Sequence, residues 1–306
     1  MYRKKYVMGT VFEIAAYQYS SQDVSDSIEK AFREIVRIDN LLSDYKPESA
    51  LSTLNRSAYL HTERVPPDLY VVIKKAVELS KVSEGKFDIS IAPLVNLWKA
   101  ALAGEAAPTA AQQRKARDCI GYQKIVLIPP DQITFRSPCL KLDFGAIGKG
   151  YAVDRAGEVL RASGVRDALI NAGGSTVFAM GSPPGQSAWV VHLRDPTRQI
   201  DPYVMLKDES VSTSEQSLPS LLGQDAPGHI IDPVTGRPLK TEFSVSVIAP
   251  NGTMSDGLST TLLLLGPEKG KLLMKGTQGV SAIWISPKGQ MQMVMSGPQI
   301  LFGKRL

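Results

Sequence analysis

Residues 255–260 read Ser-Asp-Gly-Leu-Ser-Thr and set Asp256 and Thr260 one helical turn apart. On a helix that spacing puts both side chains on one face, with Ser259 beside them. A carboxylate and two hydroxyls are hard oxygen donors of the kind Mg²⁺ takes. Three further segments combine glycine with charged or polar residues. Residues 142–150 are Leu-Asp-Phe-Gly-Ala-Ile-Gly-Lys-Gly, residues 171–175 Asn-Ala-Gly-Gly-Ser, and residues 229–238 His-Ile-Ile-Asp-Pro-Val-Thr-Gly-Arg-Pro. Glycine lets a backbone approach a ligand closely or take a positive φ. Lys149 offers a point charge for phosphate, and it stands where a helix N-terminus would attract an anion. Together the segments point to a site for a phosphorylated cofactor and a divalent metal, built from distant parts of one chain.

Each segment also has a plainer reading. Residues 142–150 match neither a P-loop nor a G-x-G-x-x-G fingerprint, and a tight strand-to-helix turn explains them equally well. Residues 171–175 alone read as a hairpin-type turn. Asp256 alone reads as a helix-start carboxylate set against the dipole. Of the three histidines, His61 sits in a polar surface stretch and His192 in a strand, where it packs; His229 has Asp232 and a Pro-x-Thr-Gly turn beside it. In residues 85–98, Ile89, Ile91, Leu94 and Leu97 read as core, whereas Phe87 and Asp88 are candidates to line a pocket.

The elements that must position these residues are of mixed type. Apolar spacing of three and four predicts helices over residues 24–42 and 69–84. Thr109-x-x-Gln112 resembles a capping box that opens a short helix ending near Gly121. Further helices are predicted over 150–162, from Ser255 to just before Gly266, and again from Pro267. Strands are predicted over 7–17, 124–128, 132–136, 140–143, 168–171, 176–180, 189–194, 243–249, 280–285 and 291–295. No repeat or low-complexity linker interrupts them. Residues 1–306 read as one compact α+β domain, with a division into two lobes left open.

Composition narrows the function classes. The chain has 306 residues, 43% of them hydrophobic, enough for a sizeable core. Its net charge is +5, with acidic and basic residues interleaved. A nucleic-acid module would cluster its cations with aromatics between them, so no nucleic-acid partner is expected; the excess still favours an anionic ligand. No apolar run reaches the length of a membrane span. Met1-Tyr2-Arg3-Lys4-Lys5-Tyr6 has charge but no apolar signal region. Cys119 and Cys139 show no metal-type spacing and read as ordinary, partly buried thiols that do not fix the redox compartment.

Taken in order, Met8-Gly9-Thr10, Ser43-Asp44-Tyr45, Gly85-x-Phe87-Asp88, Pro93-Leu94, Leu97-Trp98, the Asp143-x-Gly145-Ala146-Ile147-x-Lys149-Gly150 segment, Asn171-x-Gly173-Gly174, His229-Ile230-Ile231-Asp232-Pro233 and Asp256-x-x-x-Thr260 resemble the bacterial FAD:protein FMN transferases, the ApbE-like proteins. The resemblance covers nearly the whole chain. It implies a mixed α/β, T-fold-like architecture, bound FAD and Mg²⁺, and transfer of FMN to a threonine or serine hydroxyl with release of AMP. The acceptor would be a flavoprotein subunit of an electron-transport complex of the NQR or RNF kind. By motif, Met8, Tyr45, Lys86, Phe87, Asp88, Asp143, Lys149 and Ile230 would hold FAD; the Ala146 carbonyl, Asp256, Ser259 and Thr260 would hold the metal. His229 is the candidate general base, with Asp232 the alternative, and Asp256 joins His229 as a catalytic candidate. The alternatives are a Mg²⁺-dependent FAD pyrophosphatase and a non-catalytic flavin-binding protein. The sequence departs from the family at Glu215, where glycine is usual, at Gly257, where alanine is usual, and at Lys86, where a small residue is usual. The resemblance implies a periplasmic or inner-membrane-associated location; without a visible signal peptide or lipobox cysteine, a cytoplasmic one stays open.

Overall fold

A computed structural model describes residues 1–17, 21–102, 106–216 and 228–303. In chain order the elements are β1 (Tyr2–Val7), β2 (Thr10–Tyr17), α1 (Ser21–Leu42), α2 (Ala50–Ser57), β3 (Glu63–Arg64), α3 (Pro67–Val82), α4 (Ala92–Leu102), α5 (Ala110–Cys119), β4 (Ile125–Ile128), β5 (Gln132–Phe135), α6 (Gly148–Ala162), β6 (Asp167–Ala172), β7 (Thr176–Met180), β8 (Trp189–His192), β9 (Pro202–Leu206), β10 (Glu209–Glu215), β11 (Ile231–Asp232), β12 (Arg237–Pro238), β13 (Ser244–Ala249), α7 (Gly252–Met274), β14 (Ser281–Ile285), β15 (Met291–Met295) and β16 (Ile300–Phe302). The mixed α and β composition expected from the sequence is present. Contacts divide the chain into two compact units: Met1–Asp39, Ile147–Glu215 and Phe243–Leu306 form the first, Asn40–Ala146 and Gln216–Glu242 the second.

The first unit is organised by an eight-stranded sheet in the order β1-β2-β6-β7-β10-β13-β14-β15. Every pairing in it is antiparallel. Side chains alternate between its faces. Val177, Ala179, Val211, Ile248, Ile283 and Ile285 form a core with Trp189, Val204, Leu206 and Ile300 of the small sheet β16-β9-β8. Their neighbours turn to the helices. A Cβ at Gly157 of α6 would meet the Phe178 ring at 2.6 Å, and one at Gly270 of α7 the Trp284 ring at 2.6 Å. The Trp284 indole N–H donates to Leu262 O at 3.2 Å.

The strand predicted over 7–17 is a hairpin. Met8 and Gly9 turn the chain at φ 52° and 72°, and β1 pairs β2 up to Val7↔Thr10. β1 escaped the sequence reading because it is a charged, exposed edge strand without apolar alternation. The helix expected to start at Ser255 starts at Gly252, because the Asn251 side chain caps it by accepting Met254 N at 2.9 Å. The predicted break is present as a kink at Gly266, φ 70°, before Pro267. His192 lies outside the core: its side chain is 62% exposed, its Nδ1 is 2.9 Å from Asp201 Oδ1, and its ring sits tilted 5.9 Å from that of Tyr203.

In the second unit a three-stranded sheet, β3-β5-β4, accompanies α2–α5. Leu94, Trp98, Ile120 and Ile231 form a core cluster. Of the apolar stretch after Gly85, the part from Ala92 onward is α4. No strand forms over residues 140–143 apart from a single bridge, Ile91↔Lys141. The Asn55 amide takes both backbone groups of Leu142, accepting from its N at 2.8 Å and donating to its O at 3.1 Å, so that segment is pinned by a side chain instead of a neighbouring strand. The cysteine reading is also corrected. Cys119, at the end of α5, and Cys139 form a disulfide, and no free cysteine remains among the described residues. Their separation in sequence carried no pairing signal; the fold sets their Cα atoms 5.1 Å apart, within bridging range.

Candidate functional site

In the first unit the starts of α6 and α7 cross. A Cβ on Gly150 would lie 2.1 Å from Gly252 O, so only glycine permits the approach. Asp256, inside α7, reaches back across the crossing and accepts Gly150 N at 2.8 Å. It is buried. Burial raises its carboxyl above the usual carboxylate range, against the lowering pull of Lys149, Gly150 N and the Thr176 hydroxyl. The helix-start carboxylate anticipated from sequence is thus a buried group serving another helix.

One turn on, Ser259 and Thr260 meet β10: Ser214 Oγ lies 2.8 Å from Ser259 Oγ and 3.0 Å from Thr260 Oγ1. Ser210 and Ser212, at alternate positions of β10, lie 2.9 and 2.7 Å from Ser255 Oγ. A ladder of hydroxyls therefore lines the contact of α7 with β10. The glycine turns gather at the same end of the sheet. Gly173 N donates to Val11 O at 3.0 Å, just past the Met8–Gly9 turn, and Thr213 N donates to Ser175 O at 2.8 Å. The structure thus brings Asp256, Ser259 and Thr260 into the hydroxyl-lined contact, with Lys149 beside Gly150, while Met8 heads a neighbouring turn. Ala146 precedes Ile147, the N-cap of α6.

The donor set fits a hard cation. It consists of oxygens only, with one carboxylate. Among the described residues no group of three or more His, Cys, Asp or Glu is arranged to hold a metal. That sparse set suits Mg²⁺, which is usually held by one or two carboxylates together with substrate phosphates.

The second unit holds the other candidates. Lys86 Nζ donates to Asp232 Oδ2 at 2.9 Å, in a pair with side chains 22% and 10% exposed. Asp232 Oδ1 also accepts Val234 N at 2.9 Å. Phe87 is buried. Asp88 knots two loops: Oδ1 accepts Ser90 N at 2.8 Å and Ser90 Oγ at 2.7 Å, and Oδ2 accepts Tyr122 N at 2.8 Å. Burial raises the Asp88 carboxyl, while these bonds and Lys124 pull it down. Asp143 joins the same region, its N donating to Ile89 O at 2.8 Å and its Oδ1 accepting Gly145 N at 2.6 Å. Ile230 is clamped by the Gln216 amide at both backbone groups, at 3.0 and 3.1 Å. His229, next to it, is exposed.

Tyr45 is exposed and lies under the Lys99 ammonium, 4.6 Å from the ring centroid. Burial pulls Lys99 down, but Tyr45, Asp44 and Asp143 outweigh it and leave its pKa raised. Sequence reasoning passed over Lys99, Thr176, Ser214 and Asp154. Lys99 had a signal in its place on the polar side of α4; the other three are ordinary residues until the fold supplies their partners.

The sequence profile of the ApbE family matches residues 8–284. The chain is 30% identical to an FAD:protein FMN transferase of Klebsiella pneumoniae, over 96% of this chain and 91% of that protein. It is 31% identical to one of Treponema pallidum, over 93% of this chain and 84% of that protein. Among solved structures, the apo form of Pseudomonas stutzeri flavinyl transferase ApbE superposes with a TM-score of 0.83 at 27% identity, covering 97% of this chain and 95% of that one. The flavin transferase ApbE from Vibrio cholerae shares the fold at a TM-score of 0.81 and 24% identity, over 99% and 96%. Because the profile matches residues 8–284 and both relatives are at least 30% identical over more than nine-tenths of this chain, the chain belongs to the ApbE family.

Proposed function

We propose that this protein is an FAD:protein FMN transferase that uses Mg²⁺. The observation that carries the reading is the buried Asp256 carboxylate at the α6–α7 crossing, with Lys149 beside it and the hydroxyls of Ser259, Thr260 and Ser214 one turn away. Asp256, Ser259, Thr260 and the Ala146 carbonyl would hold Mg²⁺, which when bound supplies charge neutralisation at pyrophosphate oxygens. Lys149 adds a positive charge for the phosphates. Met8, Tyr45, Lys86, Phe87, Asp88, Asp143 and Ile230 would hold FAD, as the family resemblance implies.

In the reaction a threonine or serine hydroxyl of the acceptor protein forms a bond to the FMN-side phosphorus. The bond from that phosphorus to the bridging oxygen breaks, and AMP leaves with the electron pair. The hydroxyl proton passes to a base. Asp232 is poorly suited, because Lys86 and Val234 N already engage both its oxygens. His229 is the better candidate, exposed at the head of its turn. The acceptor class we propose is a flavoprotein subunit of an NQR- or RNF-like electron-transport complex. The Cys119–Cys139 disulfide supports a periplasmic or membrane-surface location, since such bonds persist in oxidising compartments. No helix among the described residues is long and apolar enough to cross a membrane.

The test is incubation with FAD, Mg²⁺ and candidate acceptor subunits, followed by mass measurement of the acceptor. Gain of one FMN with release of AMP is the expected result. Free FMN and AMP with an unmodified acceptor would instead indicate a pyrophosphatase.

A further inference from the structure

The crossing of α6 and α7 is capped from both sides. The first N–H groups of a helix have no partner within it. The first two of α7 are met by Asp154 of α6: Oδ1 accepts Gly252 N at 2.6 Å, while Oδ2 accepts Thr253 N at 2.8 Å and Thr253 Oγ1 at 2.5 Å. The start of α6 is met by Asp256 of α7 through Gly150 N. Each helix thus lends a carboxylate to the other's start. The backbones touch at Gly150 and Gly252, where a Cβ at Gly252 would lie 2.6 Å from Gly150 O. With contact and bonds combined, α7 cannot slide or rotate against α6 without stranding buried N–H groups.

We propose that Asp154 is a positioning residue for the cation site: it fixes the start of α7, and thereby holds Asp256, Ser259 and Thr260 in register with Lys149. This rests on the reading of Asp256, Ser259 and Thr260 as the Mg²⁺ site. Asp154 itself touches neither metal nor substrate in this scheme. Outer partners of metal ligands typically change affinity by about 10–100-fold when removed.

Asp154→Asn keeps the size of the side chain but leaves it one accepting oxygen in place of two. The measurement is the Mg²⁺ concentration at which the melting temperature of FAD-saturated, full-length protein rises half-maximally, with FAD affinity in the absence of Mg²⁺ measured in parallel. The expected result is a rise in the Mg²⁺ requirement of about tenfold or more, with FAD affinity unchanged. A structural role alone would lower the melting temperature and leave the Mg²⁺ midpoint where it was, and that outcome overturns the proposal. Asp256→Asn is the reference. If it loses the Mg²⁺ response while Asp154→Asn keeps it, Asp154 alone is misassigned. If Asp256→Asn responds to Mg²⁺ like the parent, the metal site itself is misplaced and this inference falls with it. Thr253→Val serves if Asp154→Asn does not fold: it removes one of the three bonds, and a smaller shift in the same direction supports the proposal where an unshifted midpoint refutes it.

Discussion

Asp256 shows how far a single residue's role depends on its surroundings. From sequence it is a carboxylate near a helix start, whose loss would cost little if exposed. Buried and bonded to Gly150 N, it has structural weight as well. Asp256→Ala should therefore abolish Mg²⁺-dependent turnover and also lower stability by about 1–3 kcal/mol, the cost of an orphaned buried N–H; denaturant titration beside a turnover assay checks both. His229→Ala should slow transfer by about 10²–10⁴-fold with FAD affinity nearly intact. A variant that instead loses affinity and keeps its pH–rate profile would make His229 a wall of the flavin site. Asp88 gives a prediction with a sign. Burial sets its folded-state pKa above the unfolded value, so its contribution is fully present below about pH 3.9 and is lost as pH rises through the folded value. Asp88→Asn should flatten that part of the stability–pH curve. It should also lower stability by about 1–3 kcal/mol, since an amide cannot accept from both Ser90 N and Tyr122 N with separate oxygens.

At the scale of elements, the helix periodicities over 24–42 and 69–84 and the capping box at Thr109 were legible because their causes are local: apolar spacing and a side chain three residues from its partner. The Asp256–Thr260 pair was legible for the same reason. What escaped depends on distant chain. Asp154 and Thr253 are 99 positions apart, and Asn55 and Leu142 are 87 apart. No window of sequence joins them, so Asp154 went unnoticed and residues 140–143 were misread as a strand. The disulfide was missed likewise. The crossing of α6 and α7 makes its own prediction. Gly150→Ala places a methyl into Gly252 O, so the helix starts must part, at a cost of about 1–3 kcal/mol. The Asp256–Gly150 bond should break with them, and the Mg²⁺ response of the melting temperature should weaken; an alanine variant with parental stability would mean that the helices are not in contact.

For the whole molecule, the disulfide is the feature most easily tested. It closes a loop between residues 20 positions apart, for which chain-entropy arguments give about 3 kcal/mol of stabilisation. Reduction, or Cys119→Ser with Cys139→Ser, should lower the melting temperature by several degrees. It should also loosen the segment running from Cys139 to Asp143, read as faster amide exchange around Leu142. Unchanged melting under reducing conditions would remove the main support for an oxidising location.

The interleaving of the two units carries a consequence for how the protein comes into being. The hairpin of β1 and β2 finds its sheet neighbour only in β6, where Phe12 pairs with Ala172, more than half the chain later. β10 and β13, adjacent in the sheet, are separated by a stretch that belongs to the second unit. A ribosome delivering this chain from its N-terminus therefore presents β2, with the apolar face of Phe12, Ile14 and Ala16, long before its cover exists. Pairings of such long range form slowly and leave sticky surface exposed meanwhile. The nascent chain should need a holdase during synthesis, and a polypeptide kept loose for that long is well suited to being threaded through a translocation pore before it folds.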